Sequence, residues 1–317
     1  MSESLPMVSI VIPARPDQAE VKAVAAAREL DYPRERLEII LARGKQPSVQ
    51  RNLAVRAARG DIIYFLDDDS LPERGNLQRI TGHFRDPKVQ MVGGPNLCPE
   101  NAPLMERAFA LTMGSWLAFG PSCARYRATG QTRPSSEKEL ILCNLAARKQ
   151  AFQDAGGFDE ALYPNEENAL MDELQKRGGI LLYDPQLIVH RRPRSNLRSF
   201  LKMLMTYGRG RAEQFRTHPT LGSAPNFVPP LFCVYLIVAL VFQGWLLGPL
   251  ALYALAVLAQ TIALKPHCAG TFLRVAGLIV ASHIFYGLGF WRGLGTKLKP
   301  PGQPAKVAVD LETVSPA

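Results

Sequence analysis

The sequence predicts an α/β domain that is followed by an α-helical membrane region. Short, continuous runs of β-branched and other apolar residues occur at residues 8–12, 37–41 and 61–66. Such runs are typical of strands that are buried on both faces of a parallel sheet. In contrast, residues 228–292 are mostly apolar and carry very little charge. These two observations separate a globular part from a membrane part.

Helical segments separate the three predicted strands. Residues 19–30 have helical spacing, and residues 48–59 form a second helix with Ser48 as a plausible N-cap and Gly60 after its end. Strand, helix, strand, helix, strand in close succession predicts right-handed parallel β-α-β units. In such sheets, ligands bind outside the carboxyl ends of the strands.

The second half of the globular part is less regular. A helix and a flexible loop are expected within residues 99–135, and the later pattern predicts further strands and helices. These later elements are a strand at 140–147, helices at 150–155 and 166–177, and a strand pair or one broken strand at 179–192.

Three apolar segments make up the predicted membrane region, at about 228–247, 249–264 and 271–291. One helix crosses the hydrocarbon core with ~20 residues, so the first two suit a pair joined by a tight Gly248-Pro249 turn. Soluble helices need a polar face, which these segments lack. The third segment crosses, re-enters or lies at the interface, and the second is short enough that its full crossing stays open.

The domain boundaries follow from this change in composition. We expect a globular domain at residues 1–225, a membrane region at 226–295 and a disordered tail at 296–317. No signal peptide is predicted, because the N-terminal residues have no basic region and no long apolar core.

Charge and cysteine content restrict the class of partner. The 317-residue chain has a formal net charge of +9, which favours phosphorylated molecules or an anionic membrane face. Nucleic-acid binding is not expected, since the positive charge gathers near the apolar region and interleaved aromatic residues are sparse. The five cysteines lack the spacing of a zinc site or a disulfide framework, and this fits a reducing compartment.

Three consecutive aspartates, Asp67, Asp68 and Asp69, follow the third predicted strand. Like charges repel, so this cluster needs a counter-charge. It lies at the carboxyl end of a strand, where a parallel sheet binds its ligands. The alternative is an acidic helix start without chemistry, because carboxylates are favoured at the positive end of a helix dipole.

Several motifs occur in a fixed order along the chain. They are SIVIPAR, QRNLAVRAARGDIIYFLDDDS, GGFDEALYPNEENALMDELQKRG and, after the paired apolar segments, ASHIFYGLGFWRG. The first three together resemble an inverting family 2 glycosyltransferase with a GT-A fold. The last is similar to the membrane-anchored exopolysaccharide branch, the succinoglycan-type transferases. The resemblance covers nearly the whole chain, and its specificity lies in the order and spacing of motifs that are weak alone.

This resemblance implies a divalent ion, Mg²⁺ or Mn²⁺, that holds the diphosphate of a nucleotide-sugar donor. Asp69 is the expected direct ligand, Asp67 lies near the nucleotide or also binds the ion, and His190 is the third ligand or an exposed loop histidine. Hard carboxylate oxygens are the ligands that these ions prefer. A bound ion would neutralise the charge of the departing diphosphate.

The resemblance also implies a catalytic base in the pair Glu166-Glu167, where Glu-Asp is usual. Glu167 aligns with the usual base, but its longer side chain moves the carboxylate by about 1.5 Å, a displacement that can be costly. Glu166 therefore remains an alternative base. A pair of helix-terminal carboxylates without chemistry is the other interpretation.

Contacts to the nucleotide or its diphosphate are implied for residues spread along the chain. They are Pro13, Arg15, Arg51, Asp61, Asp67, Arg209 and Arg211, with Arg191, Arg192 and Arg194 as further positive groups. The arginines close to the apolar region could contact lipid headgroups instead. The chain departs from the family pattern at Arg43 and Gly44, which stand where aspartates usually hold the nucleobase.

The predicted function is metal-dependent, inverting transfer of a sugar from a nucleotide sugar to a lipid-linked or polyprenyl-phosphate acceptor. The expected location is the inner (cytoplasmic) membrane, as a multi-pass protein whose catalytic domain faces the cytoplasm. Because the usual nucleobase contact is missing, the alternative is a non-catalytic or atypical partner of a polysaccharide assembly complex.

Overall fold

The computed structural model describes residues 5–160, 166–217, 219, 221–266, 268–298 and 307–315. The chain divides into two compact units, which we call the sheet unit and the helical unit. The sheet unit consists of residues 1–99, 124–191 and 300–317, and the helical unit consists of residues 100–123 and 192–299.

The strands are numbered in chain order. They are β1 (Val8–Ala14), β2 (Leu37–Arg43), β3 (Ile62–Leu66), β4 (Leu71–Pro72), β5 (Val89–Gly93), β6 (Asn96–Leu97), β7 (Arg133–Pro134), β8 (Asn144–Arg148), β9 (Ile180–Tyr183), β10 (Val189–His190) and β11 (Asp310–Val314).

The α-helices are numbered in the same way. They are α1 (Lys22–Arg28), α2 (Pro47–Ala57), α3 (Asn76–His83), α4 (Leu104–Met113), α5 (Trp116–Phe119), α6 (Lys149–Asp154), α7 (Glu166–Lys176), α8 (Leu197–Thr217), α9 (Val228–Phe242), α10 (Leu247–Ala263) and α11 (Ala269–Gly295).

An eight-stranded mixed sheet forms the core of the sheet unit, in the order β11-β2-β1-β3-β8-β5-β9-β7. The central strands β2, β1 and β3 are parallel, and every residue of β1 and β3 is buried. This confirms the α/β class and the three strands predicted from their continuous apolar runs. The chain passes from β1 to β2 on one side of β1 and then to β3 on its other side. In sheets with such a change of direction, ligands bind at the carboxyl ends of the strands beside it.

A small second sheet, in the order β4-β10-β6, brings two distant parts of the chain together. Strand β4 begins two residues after Asp69 and pairs antiparallel with β10, so that Leu71 lies opposite His190. The residue that follows β10, Arg191, is thereby placed beside the acidic cluster.

The start of α2 differs from the prediction. The helix begins at Pro47 after Gln46, and its first residue needs no hydrogen-bond donor because proline is suited to that position. Ser48 is therefore not the N-cap. It is buried, and its hydroxyl group donates a hydrogen bond to Glu166 Oε1 at 2.9 Å.

The C-terminal segment corrects the predicted disordered tail. Strand β11 pairs antiparallel with β2 over five residue pairs, and Arg43 lies 3.6 Å from Glu312 in an ion pair. Arg28 Nε also donates to the carbonyl oxygen of Ser315 at 3.1 Å. An edge strand exposes unpaired backbone groups, which β11 satisfies along β2. Residues 299–306 and 316–317 of that predicted tail lie outside the described residues.

Within the part of the chain that the structure describes, three helices in the helical unit are long and apolar enough to cross a membrane: Gly222–Phe242, Gly244–Ala263 and Ala269–Gly295. These overlap the three predicted apolar segments. The turn predicted at Gly248-Pro249 is wrong, because the chain turns at Gln243 and Gly244, whereas Gly248 and Pro249 lie in the first turn of α10, where proline is tolerated. The predicted domain boundary at residue 225 falls inside this unit, because α4, α5 and α8 group with the apolar helices.

Removal of residues 307–317 should accelerate amide hydrogen exchange in β2, because β11 covers its outer edge. Exchange in β1 should stay slow, since β2 and β3 protect it on both sides. Mass spectrometry of exchanged peptides measures both. Glu312→Gln is the matched control, because it removes only an ion pair that is partly exposed. Equal exchange of β2 in the full-length and shortened chains would contradict the pairing.

Candidate active site

The acidic cluster lies directly after β3, at the carboxyl edge of the parallel strands. Arg191 lies between two of its members. One nitrogen, Nη1, is 2.9 Å from Asp67 Oδ2, and Nε forms a short ion-paired contact with Asp69 Oδ1. Arg191 is therefore a counter-charge that the cluster requires.

Both sides of this interaction are partly removed from water, which changes their proton affinities. Burial raises the pKa of Asp69, although the charge of Arg191 opposes the change. Burial alone would lower the pKa of Arg191, but Asp67 and Asp69 raise it above its ordinary value. The two carboxylates thus favour the cationic form of Arg191.

Arg51 connects the acidic cluster to the glutamate pair. Its Nη2 atom is 2.6 Å from Asp67 Oδ1, and its Nη1 atom is 3.9 Å from Glu166 Oε1. Only 6% of the Arg51 side chain is exposed, so these ion pairs lie in a poorly solvated position. One guanidinium group on α2 therefore joins the end of β3 to the start of α7.

The two glutamates have different environments. Glu166 is buried, and its Oε2 atom has no hydrogen-bond partner among the described residues. Burial, together with the charge of Glu167, raises the pKa of Glu166 to about 7, although Arg51 and Ser48 oppose this. Glu167 is only half-buried. Of the pair, Glu167 is the carboxylate with more exposed surface.

The carboxyl end of β1 holds two more of the predicted residues. Pro13 belongs to β1, and Arg15 follows that strand. Arg43, at the end of β2, donates from Nη1 to the carbonyl oxygen of Gln18 at 2.7 Å. Gly44 donates its backbone N–H to Ala14 at 3.0 Å. Where family members usually carry acids, this chain thus uses an arginine to bind the backbone after β1.

Asp61 is not close to this edge. It precedes β3, whereas Asp67 follows it, so about 20 Å of extended strand separates the two residues. Its backbone N–H donates to Met7, and its carbonyl oxygen accepts from Lys149. The predicted nucleotide contact of Asp61 does not agree with this position, because residues at opposite ends of a strand face opposite edges of the sheet.

His190 does not join the aspartates. Its Nε2 atom lies 3.3 Å from Glu73 Oε1, and the side chain is 38% exposed. Among the described residues, no group of three or more histidine, cysteine, aspartate or glutamate side chains is arranged to hold a metal ion. In this structure His190 pairs with Glu73 on the neighbouring strand connection, and its role as a third metal ligand stays a prediction.

The remaining predicted arginines lie in the helical unit. Arg209 and Arg211 belong to α8, where Arg209 forms an ion pair with Glu213 at 3.5 Å and Arg211 donates to Gln214 at 3.0 Å. Arg192 forms a two-bond contact with Glu106, with both distances 2.7 Å. Their contacts to a diphosphate remain predictions.

From the sequence, Arg191 was only one of several positive groups near the predicted diphosphate. Its pairing with Asp67 and Asp69 was not predicted. The available signal was its position directly after an apolar run, at the end of a strand. The buried contact of Ser48, which was read as a helix cap, was not predicted either. The glutamate that Ser48 binds lies 118 positions later in the sequence, and no local pattern reports such a contact.

Glu166→Gln should become increasingly stabilising, relative to the parent chain, as the pH rises from about 4.5 to above 7. The unfolded chain releases this proton near pH 4.5, whereas the folded chain keeps it up to about pH 7. The parent chain therefore loses stability across that window, by at most about 3 kcal/mol, and glutamine does not titrate. Thermal unfolding of the purified protein at several pH values measures the difference.

The matched control for this experiment is Glu173→Gln on the same helix, whose carboxylate forms an exposed pair with Arg177 at 2.8 Å. Its unfolding temperature should follow that of the parent chain at every pH. Parallel curves for Glu166→Gln and the parent chain would show that Glu166 ionises normally.

The sequence is similar to two named bacterial proteins. A pre-mycofactocin glycosyltransferase of Mycobacterium tuberculosis is 30% identical over 244 residues, which cover 73% of this chain and 48% of that protein. The succinoglycan biosynthesis protein ExoA of Rhizobium meliloti is 28% identical over 197 residues, covering 60% of this chain and 56% of that protein. The chain thus spans about half the length of the curated relatives it matches.

The fold also has a solved counterpart. The mannosyltransferase PcManGT from Pyrobaculum calidifontis, in complex with GDP-Man and Mn²⁺, matches with a TM-score of 0.54 and 16% identity, covering 88% of this chain and 86% of that chain. This likeness shows the GT-A fold. A model of the family described as glycosyltransferase like family 2 matches residues 2–204, which is well over half of the chain. The chain therefore belongs to glycosyltransferase family 2.

Proposed function

We propose that this protein transfers a sugar from a nucleotide sugar to a membrane-associated acceptor, with inversion at the sugar carbon. The observation that carries the proposal is the position of Arg51 between Asp67 and Glu166. The acidic cluster and the glutamate pair, which are 99 positions apart from Asp67 to Glu166, meet through this one side chain. A donor-binding end and a base-bearing helix in contact are what a direct displacement requires.

The donor atoms of the acidic cluster are of the kind that a divalent ion prefers. Asp67 and Asp69 supply hard carboxylate oxygens, and Mg²⁺ or Mn²⁺ needs only one or two of these when phosphates supply further ligands. When bound, the ion would neutralise the charge that develops on the departing diphosphate. In the structure, Arg191 already supplies a positive charge between the same two carboxylates.

In this proposal Arg191 moves from the aspartates to the donor. An ion bound to Asp67 and Asp69 would compete with the guanidinium group for the same oxygens. A guanidinium group binds phosphate oxygens with charge-assisted hydrogen bonds, so the released side chain can hold the diphosphate. Arg191 would therefore position the leaving group and compensate for its charge.

Glu167 is proposed as the base, and Glu166 as a positioning residue. An acceptor hydroxyl group attacks the anomeric carbon, the bond to the diphosphate breaks, and the hydroxyl proton passes to the base. Glu167 retains exposed surface, whereas Glu166 is 2% exposed and is bound by Ser48 and Arg51. Ser48 and Arg51 hold Glu166 in place, so its proposed role is to orient Arg51.

The three apolar helices support an acceptor that is confined to the membrane. A lipid-linked sugar would present a hydroxyl group that needs Glu167, whereas a polyprenyl phosphate would present an oxygen that is already ionised. The five cysteines lack the spacing of a disulfide framework, which supports a location of the sheet unit in the reducing cytoplasm, at the inner membrane.

Membranes that contain the protein should transfer label from a nucleotide sugar to a lipid fraction in the presence of Mn²⁺. The donor panel includes GDP-mannose, because the solved counterpart binds GDP-Man and Mn²⁺, together with UDP-sugars. Asp69→Asn should lower the rate by about 100-fold or more, since charge stabilisation of the leaving group is lost. Asp86→Asn, on an exposed loop of the sheet unit, is the control and should retain the parent rate.

The acceptor class can be read from a second variant in the same assay. Glu167→Gln should lower transfer to a hydroxyl acceptor by about 100-fold or more and transfer to a polyprenyl phosphate far less. Glu173→Gln, one turn or more along α7, is the control. If no donor in the panel gives transfer above the Asp69→Asn background, the non-catalytic alternative is favoured.

Arg191→Gln should raise the affinity for Mn²⁺ in the absence of nucleotide. The variant removes the cation that competes for Asp67 and Asp69, and we expect binding about tenfold tighter, or ~1.4 kcal/mol. Titration followed by electron paramagnetic resonance of free Mn²⁺ measures it. Arg192→Gln is the matched control, because its partner is Glu106. Unchanged or weaker Mn²⁺ binding by Arg191→Gln would exclude competition at this site.

A further inference from the structure

We propose that α9 and α10 insert into the lipid bilayer as a hairpin that crosses twice, while α11 stays on the side of the sheet unit. The apolar region thus begins and ends on one face of the membrane. The inference concerns the contact of these helices with lipid and does not depend on the proposed sugar transfer.

The pairing of β11 with β2 places both ends of the apolar region on one side of the membrane. Strand β11 follows all three apolar helices, whereas β2 precedes them, and the two are joined over five residue pairs. A single water-soluble sheet lies on one side of a membrane, because lipid offers no partners for its loops and edges. Residues 192–309 therefore leave the sheet and return to it on the same side. The number of crossings must be even, so three crossings are excluded.

Helices α9 and α10 leave most of their apolar side chains exposed. Of their most apolar windows, only 17% and 11% of residues are buried, against 33% for α11. Large apolar side chains cover the exposed surfaces of both helices, and residues 228–264 include no charged residue. Examples are Leu240, Phe242, Leu252 and Ile262, all more than 60% exposed. Surfaces of this size and composition require lipid or another apolar partner.

The turn between α9 and α10 has the backbone geometry of a hairpin connection. Gln243 and Gly244 both have positive φ angles, 44° and 60°, which reverse the chain within two residues. The Tyr235 hydroxyl group donates to the carbonyl oxygen of Leu246 at 2.6 Å, which satisfies a backbone group near the end of the hairpin. Satisfied backbone groups and the lack of charge allow this turn to pass through the hydrocarbon core during insertion.

The C-terminal half of α11 packs closely against α8. Gly289 and Gly293 face the backbone of α8 so closely that an added Cβ atom would lie 2.2 Å from the Met205 oxygen and 2.5 Å from the Arg209 oxygen. Arg216 Nη1 also donates to the carbonyl oxygen of Thr296 at 2.5 Å. Helix α8 precedes the apolar region and carries several charged side chains, so it does not cross. The C-terminal half of α11 therefore lies on the same side as α8.

The start of α11 lies at a positively charged loop. Lys265 and Arg274 flank the start of the helix, and positive residues favour the cytoplasmic side. This assigns the loop between α10 and α11 to the sheet side.

The chain contains a natural reporter for this arrangement. Cys268 is exposed in the loop between α10 and α11. We would treat sealed membrane vesicles of both orientations with a membrane-impermeant maleimide and identify the labelled peptides by mass spectrometry. Asp86→Cys marks the sheet side, Glu312→Cys marks β11, and Gln243→Cys marks the hairpin turn. Cys268→Ser is the matched control that must lose the loop label.

In vesicles whose outer face is the sheet side, Cys268, Glu312→Cys and Asp86→Cys should all be labelled without detergent. Gln243→Cys should be labelled only in vesicles of the opposite orientation. The proposal is overturned if Cys268 or Glu312→Cys reacts only from the face opposite to Asp86→Cys. It is also overturned if Gln243→Cys reacts from the sheet side, or from neither side until detergent is added.

Discussion

The acidic cluster after β3 can exist only because positive side chains reach it from two directions. Arg51 comes from α2 and Arg191 from the end of β10, and both contact Asp67. Without them, adjacent carboxylates at a partly buried sheet edge would repel one another and take up protons. The same two arginines fix the position of α7, through Glu166, and of the small second sheet. The ion pairs thus organise the site as well as neutralise it.

The sequence was sufficient for the central strands and for the position of the acidic cluster in the sheet. Strands β1, β2 and β3 are buried on both faces, so their apolar runs are unbroken and easy to recognise. The rule that ligands bind at the carboxyl ends of parallel strands then made Asp67 and Asp69 the candidate site. The three apolar helices were equally clear, because lipid-facing segments lack the polar face of soluble helices. Each of these features is encoded over a short window.

Features that depend on distant pairing could not be predicted. Strands β4 and β10 have two residues each, too few for any periodicity, yet their pairing sets the position of Arg191. Strand β11 looked disordered because its composition is polar, and its partner β2 lies more than 260 positions earlier. Asp61 and His190 were assigned by resemblance alone. Asp61 lies at the opposite end of β3 from the aspartates, and the His190 side chain pairs with Glu73 in this structure. Local sequence carries no information about such geometry.

The proposed function requires Asp67 and Asp69 to exchange the guanidinium group of Arg191 for a divalent ion when a donor binds. The most direct measurement is a structure of the protein with Mn²⁺ and a nucleoside diphosphate, in which anomalous scattering locates the metal. The account predicts a manganese peak between these two carboxylates and the diphosphate, with Arg191 moved from the aspartates to the phosphate oxygens. A peak at another position, or Arg191 still bound between Asp67 and Asp69 beneath an ordered diphosphate, would contradict it.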